Sequence, residues 1–217
     1  METEIIEGVH VLHLGDGPNT IDEDLMAGVE AALDAIEADE AAVALVTVGD
    51  GKAYSQGYDL EAFGQFEGVA LQAFIDRSVR VLARLVVAPV PTVAALNGHA
   101  FGYGAMFALA HDLRIQRADR GWLCLPEVDL GLQFHALQLA LIQAKLPPAA
   151  VSESVLAGRR WDGPSAQAAG VIDDVAGEDD LVLGAIGLAQ ARAGKGREIL
   201  AALKRDLYAS VLALTPS

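Results

Sequence analysis

The chain has 217 residues, of which 53% are hydrophobic and 21% are charged. It is therefore long enough for one domain with a sizeable core and too apolar for a disordered chain. Lysine and arginine number 15 against 30 aspartate and glutamate, a net charge of −15, which argues against a DNA or RNA partner because nucleic-acid-binding proteins normally carry a basic face.

The cysteine content and the N-terminus predict a cytoplasmic protein. Cys124 is the single cysteine, so no intrachain disulfide can form, and its apolar neighbours favour a buried, inert thiol. Residues 1–4 lack the basic start and apolar core of a signal peptide. Residues 85–110 carry no Asp, Glu, Lys or Arg, but prolines and glycines interrupt them, so we expect a buried strand, turn and helix rather than a membrane span.

Apolar patterns predict alternating strands and helices over the first 132 residues. The strands fall at 5–14, 43–48, 90–96 and 113–117, and the helices at 22–38, 69–87 and 104–110. Strands that alternate with helices favour an α/β layer fold with parallel strand pairing.

Beyond residue 133 the strand patterns fade and helices dominate. Helices are predicted at 136–146, 150–157, 165–169, 180–193 and 197–212. No linker or repeat interrupts the chain, so we predict a single domain over 1–217, with an α/β core at 1–132 and a mainly helical region at 133–217.

Two glycine-containing segments, 52–60 and 97–106, each follow a β-branched apolar run. Glycines placed where a strand turns toward a helix leave backbone N–H groups aimed outward, and two such turns that converge would form an oxyanion hole. From glycine content alone, tight turns needed for packing explain the segments better. The five histidines show no metal-ligand spacing, so we expect no metal site.

Longer motifs carry a family resemblance. Lys52-Ala-Tyr-Ser-Gln-Gly-Tyr-Asp-Leu60 resembles the K-A-F-S-x-G-x-D-L signature of the crotonase, or enoyl-CoA hydratase/isomerase, superfamily. Residues 91–104 resemble its P-x-I-A-A-V-N-G-x-A-x-G-G-G segment, residues 110–114 its C/H-D-x-R piece, and residues 125–132 its Q-P-E-x-x-L-G-L segment. Residues 157–160 are similar to T-G-R-R. The matches occur in family order and cover nearly the whole chain.

The resemblance implies a fold, an assembly and a substrate. The fold would be α/β, a crotonase/ClpP-like spiral of ββα units with a helical C-terminal region. The assembly would be a homotrimer or a dimer of trimers. The substrate would be an acyl-CoA thioester, with no separate cofactor because coenzyme A is part of the substrate, and no membrane partner is implied.

The resemblance also implies which residues form the site. The backbone N–H groups of Tyr58 and Tyr103 correspond to the oxyanion-hole donors, and their rings would either line the acyl pocket or pack in the core. Substrate-binding positions would be Ser55, Gln56, Gly57, Asp59, Leu60, Gly102 and Met106. From the residue type alone, Asp59 fits a helix cap better.

The carboxylate positions separate the reactions of this family. Hydratases use two glutamates, and the first corresponds to Met106, which cannot accept a proton. The second is retained as Glu127, the position that enoyl-CoA isomerases of the superfamily keep. The resemblance therefore favours isomerisation of a 3-enoyl-CoA to a 2-enoyl-CoA, with Glu127 moving a proton from C2 to C4. Apolar neighbours should raise the pKa of Glu127 toward neutrality.

Several alternatives stay open at this stage. Glu127 could instead be a buried structural carboxylate paired with Arg114 or Arg120. The chain could be an enoyl-CoA hydratase or a CoA-thioester hydrolase, or an acyl-CoA-binding protein without turnover.

Two further positions raise expectations about binding. Residues 133–138 depart from the glycine-rich stretch usual in the family, and His135 could supply a polar group there, although a packed or surface histidine is more common. Lys204 and Arg205 could contact the CoA phosphates, although solvated helix charges fit them better.

Overall fold

The computed structural model describes residues 1–59, 61 and 67–216. Their strands are β1 (Glu2–Ile6), β2 (Val9–His13), β3 (Thr20–Ile21), β4 (Ala44–Val48), β5 (Ala53–Ser55), β6 (Gly57–Tyr58), β7 (Thr92–Leu96), β8 (His99–Phe101), β9 (Leu113–Arg117), β10 (Leu123–Cys124) and β11 (Asp174–Ala176). Six of them form the main sheet in the order β1-β2-β4-β7-β9-β11.

The helices in the same part of the chain are α1 (Glu23–Ala38), α2 (Gly68–Val86), α3 (Tyr103–Ala110), α4 (Glu127–Leu130), α5 (Ala136–Lys145), α6 (Pro148–Ala157), α7 (Gly163–Ala168), α8 (Leu181–Gln190), α9 (Arg197–Leu207) and α10 (Ala209–Leu212). No described helix has the length and apolar character needed to cross a membrane.

The main sheet is parallel from β2 to β11 and antiparallel at its first edge, where β1 pairs with β2. The sequence predicts one strand over residues 5–14, which is wrong. Glu7 and Gly8 have φ of 50° and 79° and fold the chain into a hairpin. The turn works because glycine tolerates positive φ without steric cost.

Helices cover both faces of this sheet. Helix α8 packs on β4, β7 and β9, where Leu181 and Ile186 join the core formed by alternate strand residues. The opposite alternation, including Leu45 and Leu96, faces the larger core that contains residues of α1, α2 and α3. Successive side chains of a strand point to opposite faces, which explains why these strands are apolar throughout.

Two small sheets carry the glycine-containing segments. Strands β10, β8 and β5 form a three-stranded parallel sheet, and β3 pairs with β6. The described part of the first segment, residues 52–59, contains β5 and β6, and the segment 97–106 runs through β8 into α3. This arrangement brings both segments to the N-terminal end of α3.

The helices of the second half match the prediction to within a few residues, with two differences. The predicted helix over 197–212 is divided at Tyr208 into α9 and α10. The fading strand patterns beyond residue 133 did not reveal one short strand, β11, which adds to the edge of the main sheet beside β9. The α/β fold class with a helical C-terminal region is confirmed.

Candidate active site

The two glycine-containing turns lie against each other. Gly57 has φ of 80°, and a Cβ placed there would lie 2.5 Å from the Phe101 carbonyl oxygen and 3.1 Å from the Tyr103 nitrogen. Such distances leave no room for a side chain, so glycine is what allows the two segments to approach. The backbones of Tyr58 and Tyr103 thereby become neighbours.

Helix α3 begins at this junction. Its N-cap is Gly102, with φ of 52° and ψ of −122°, a conformation that glycine adopts far more readily than other residues. The amide of Tyr103 is the first of the helix, and amides of the first turn have no acceptor within their own helix. The N-terminal end of a helix also favours nearby negative charge, as expected for a site that stabilises an oxyanion.

Glu127 lies beside this helix end. It is the first residue of α4 and is only 8% exposed. A Cβ placed on Gly102 would lie 3.3 Å from its Oε1 atom. Its Oε2 atom is buried without a hydrogen-bond partner among the residues that the structure describes. Burial raises the pKa of this carboxyl group to about 7, against a smaller lowering by its own backbone N–H.

The hypothesis of a structural ion pair between Glu127 and Arg114 is wrong. Arg114 Nη2 contacts Asp173 Oδ2 at 3.1 Å, and its Nε donates to the Val171 carbonyl at 3.0 Å. Within residues 1–59, 61 and 67–216, no cation, Arg120 included, forms an ion pair with Glu127, and no charged partner contributes to its pKa. A buried carboxyl without a cation is a feature of acid–base sites.

Glu127 opens onto a cavity of about 320 Å³, near the lower limit for small-molecule sites. Among the described residues, the apolar part of its wall is formed by Leu71, Ile75, Met106, Leu132 and Phe134. The polar part consists of Tyr58, Gln72, Glu127, Gln133, His135 and Gln138. A carboxyl group in a largely apolar pocket suits proton transfer to and from carbon, since water is poorly held there.

The two tyrosine rings have different surroundings. Tyr58 is half-buried, lines the cavity, and its hydroxyl lies 2.7 Å from Ser78 Oγ. Tyr103 is 2% exposed and donates to the Ser78 carbonyl at 2.7 Å, so its ring belongs to the core. Of the two placements expected for these rings, Tyr58 adopts the first and Tyr103 the second.

The other predicted substrate-binding residues are distributed around this junction. Met106 lines the cavity, and Gly102 lies beside Glu127, whose Oε1 atom would be 3.3 Å from a Cβ placed on the glycine. Ser55 is buried and its Oγ accepts from the Gly57 N–H at 3.2 Å, so it shapes the turn.

Three more of the predicted positions belong to the segment 56–60. Gln56 and Asp59 are exposed, and Asp59 Oδ1 accepts from the Glu61 N–H at 3.0 Å. Leu60 lies outside the described residues.

Several cavity residues were missed from the sequence, and they are Leu71, Gln72, Ile75 and Gln138. Gln138 Oε1 accepts from the His135 N–H at 2.9 Å, while His135 Nδ1 accepts from the Leu137 N–H at 3.1 Å. The pair forms a capping box at the start of α5. The signal was present, because a polar N-cap followed three residues later by Gln is the pattern of this motif. His135 therefore has a structural role as well as a place on the cavity wall.

Lys204 is neither a phosphate ligand nor a solvated helix charge, so both expectations for it are wrong. Its Nζ atom is buried and lies 2.6 Å from Asp112 Oδ2, 3.0 Å from the Ala88 carbonyl and 2.9 Å from the Val90 carbonyl.

Cys124 is buried as predicted, and burial raises the pKa of its thiol.

Comparison with known proteins identifies the class. The family model for enoyl-CoA hydratase/isomerase matches residues 4–215, so the chain belongs to the enoyl-CoA hydratase/isomerase family, the crotonase superfamily recognised from its motifs.

Individual relatives narrow the similarity. The chain is 34% identical over 205 residues to enoyl-CoA delta isomerase 2, peroxisomal, of Arabidopsis thaliana, covering 89% of this chain and 85% of that protein. It is 38% identical over 173 residues to enoyl-CoA delta isomerase 3 of the same plant, covering 76% and 72%. The structure of a probable enoyl-CoA hydratase from Mycobacterium tuberculosis H37Rv superposes with a TM-score of 0.91 at 26% identity, covering 99% of this chain and 90% of that one.

Proposed function

We propose that this protein isomerises 3-enoyl-CoA thioesters to 2-enoyl-CoA thioesters. The observation that carries the proposal is Glu127, a buried carboxyl group with a pKa of about 7 and no cationic partner among the described residues, at the junction of the two glycine turns. The two Arabidopsis relatives named as delta isomerases support the same reaction.

The first step removes a proton from C2. The Glu127 carboxylate takes this proton, and the electrons of the C2–H bond form a C1–C2 double bond, which places the negative charge on the thioester oxygen. The N–H groups of Tyr58 and Tyr103 would hold that oxygen. Loss of one donor in such a hole typically costs roughly 3 kcal/mol of barrier, so the paired turns matter as much as the base.

The second step returns the proton to C4. The electrons of the C3–C4 double bond take this proton from Glu127 and form the C4–H bond. Those of the C1–C2 double bond form the C2–C3 double bond, and the thioester carbonyl is restored. One carboxyl group serves both steps because it ends each turnover ionised, as it began. A pKa near 7 suits this exchange, since neither protonation state is strongly favoured at neutral pH.

Met106 supports isomerisation over hydration. It lies on the cavity wall at the position where hydratases of the family carry their first glutamate, and it is 2% exposed. A thioether has no ionisable proton and is a weak hydrogen-bond acceptor. Activation of water would then fall to Glu127 alone.

Hydration of an enoyl-CoA is the second candidate. Gln72, Gln133 and Gln138 line the same cavity, and their amides could hold a water molecule. Reaction in ¹⁸O-labelled water separates the two candidates, because a hydratase incorporates the label into a 3-hydroxyacyl product and an isomerase leaves it out.

The direct test uses purified protein and 3-hexenoyl-CoA. Isomerisation produces the absorbance of a conjugated thioester without a change in mass. Glu127→Gln keeps the shape of the side chain and removes the base, so it should abolish this signal. Absence of conversion by the unaltered protein, or full activity in the variant, would overturn the proposal.

We also propose a homotrimer or a dimer of trimers in the cytoplasm. The assembly is supported by family membership, and the location by the single buried cysteine. Light scattering coupled to size-exclusion chromatography tests the assembly directly, and a monomer would contradict it.

A further inference from the structure

The Tyr58 side chain lies at the reacting end of the cavity. The ring belongs to the same residue as the backbone N–H that would hold the thioester oxygen. It therefore lies near C1, the carbon that carries this oxygen. It lines the cavity together with Met106 and Glu127. With the thioester oxygen on that N–H, a group attached to C2 would lie on the cavity side of this ring.

The ring is fixed from two helices. Its hydroxyl lies 2.7 Å from Ser78 Oγ, and Ser78 donates its own hydrogen to the Ile75 carbonyl at 2.7 Å, both on α2. The Gln138 amide of α5 approaches the same phenol oxygen. The Ser78 hydrogen is used in its bond to Ile75 and a hydroxyl group has one hydrogen, so Tyr58 donates to Ser78 Oγ.

Aromatic neighbours support the back of the ring. The centroid of Tyr58 lies 5.1 Å from that of Tyr103 at an interplanar angle of 46°, and 5.8 Å from that of Phe74 at 56°. Tilted pairs at these distances are favourable. Tyr103 and Phe74 are 2% and 6% exposed, so these two described neighbours are packed in the core and support the ring on this side.

The outer part of the cavity is less enclosed. Gln72, Leu132 and Gln133 line it and are exposed, with Leu132 at 45%. Tyr58, Met106 and Glu127, in contrast, are half-buried or buried. The enclosure is therefore tightest around the carbons next to the thioester.

We infer that the fixed Tyr58 ring is a specificity-determining wall that admits acyl groups unbranched at C2 and excludes those with a 2-methyl substituent. This inference rests on the proposed function, since it places the acyl group in this cavity. The hydroxyl of Tyr58 takes no part in proton transfer, because its hydrogen is directed at Ser78. The ring acts through its volume.

The test measures binding, without turnover. Butanoyl-CoA and 2-methylpropanoyl-CoA have the same atoms and differ in branching at C2. By calorimetry we expect the protein to bind the straight ester about tenfold more tightly or better, the scale on which a misplaced methyl group is rejected. In Tyr58→Ala, which keeps the backbone N–H, the ratio of the two affinities should fall below about threefold.

Tyr208→Ala is the matched control. Tyr208 is half-buried and packs beneath the Lys145 ammonium group, at 4.4 Å from its ring centroid, and it is absent from the cavity wall. The Tyr208→Ala substitution removes the same atoms at a distance from the cavity. The ratio of the affinities for the straight and the branched ester should therefore stay as in the unaltered protein. If Tyr58→Ala does not fold by circular dichroism, Tyr58→Leu replaces it, since the leucine also shortens the wall.

Two outcomes would overturn the inference. One is equal affinity of the unaltered protein for the two esters. The other is a preference for the straight ester that persists unchanged when Tyr58 is shortened. Failure of the proposed reaction looks different: 3-hexenoyl-CoA would go unconverted while the straight ester still bound more tightly than the branched one.

Discussion

Two buried charged regions of this protein are built in opposite ways. Below the C-terminal helices, Lys204 contacts Asp112 and two backbone carbonyls, and Arg114 contacts Asp173 and two more. At the cavity, Glu127 Oε2 has no partner within the described part of the chain. Buried charges that stabilise a fold need partners, whereas a base must keep an atom available for the proton.

The largest expected effect is on chemistry. Glu127→Gln should lower kcat for isomerisation by about 10²–10⁴-fold, the usual contribution of a general base, measured by absorbance with 3-hexenoyl-CoA. Glu67→Gln is the control, because Glu67 is exposed and precedes α2. If Glu127→Gln and the unaltered protein reacted at similar rates, Glu127 would not be the base, and the contrast between a catalytic and a structural buried charge would be lost.

Breaking the paired region should damage the fold instead. Lys204→Met leaves Asp112 and two carbonyls short of a donor, so the free energy of unfolding should fall by about 3–5 kcal/mol, measured by urea denaturation. Lys195 is exposed, and Lys195→Met should change it by less than about 0.5 kcal/mol. The kcat of folded Lys204→Met should match that of the unaltered protein; a large loss would place this region in the site.

Removing the charge of Glu127 should raise the free energy of unfolding, whereas Lys204→Met lowers it. Burial raises the pKa of Glu127 from 4.5 to about 7, so ionisation opposes folding. Below pH 4.5 the carboxyl group is protonated in both the folded and the unfolded chain. As the pH rises from there through about 7, the unfolded chain ionises first, so the free energy of unfolding falls.

Glu127→Gln should therefore be more stable than the unaltered protein by roughly 2 kcal/mol at pH 8, after an allowance for the buried amide. At pH 4 the two should unfold alike. Urea denaturation at the two pH values measures this, and an Arg114-type partner for Glu127 would reverse the sign.

The same pKa fixes the pH dependence of the rate. Because the carboxylate is the active form, kcat/KM should rise with pH and level off above about 7. At pH 5 it should be about a hundredth of the plateau value, since each unit below the pKa removes a factor of ten. If kcat/KM did not change between pH 5 and 8, ionisation of Glu127 would not control the rate.

The last prediction concerns Gly102, the glycine at the N-terminal end of α3. Gly102 has φ of 52°, and a Cβ there lies 3.3 Å from Glu127 Oε1. Gly102→Ala should cost about 1–3 kcal/mol of unfolding free energy through backbone strain, and its kcat should fall with the displaced carboxylate. Gly187→Ala, on an exposed face of α8 with open space around it, should lose nothing in either measurement.

Much of the fold could be predicted because its apolar runs are long. Helix α1 begins as expected because Asp22 accepts from the Leu25 N–H at 2.8 Å. Strand β11 was missed because three half-buried residues, two of them apolar, give too short a pattern. The hairpin at Glu7 was missed because apolar alternation continues on both sides of its turn.

The site was predictable as a set of motifs, and its environment was not. Glycine spacing located the turns that meet at Gly57 and Gly102, and the resemblance pointed to Glu127. The surroundings of Lys204 could not be read from the sequence, because its three partners lie 92 or more positions away. The same holds for the contact between Tyr58 and Ser78, 20 positions apart.

Gln138 contributes both to the stability of the α5 helix end and to the shape of the pocket, so a substitution there changes both. Its Oε1 atom completes the capping box of α5, and its amide approaches the Tyr58 hydroxyl. Reshaping the pocket through Gln138 therefore weakens a helix end, a loss of about 1 kcal/mol for a cap. Substitutions at Tyr58 leave that cap intact, so new substrate preferences are more accessible to directed evolution from position 58 than from position 138.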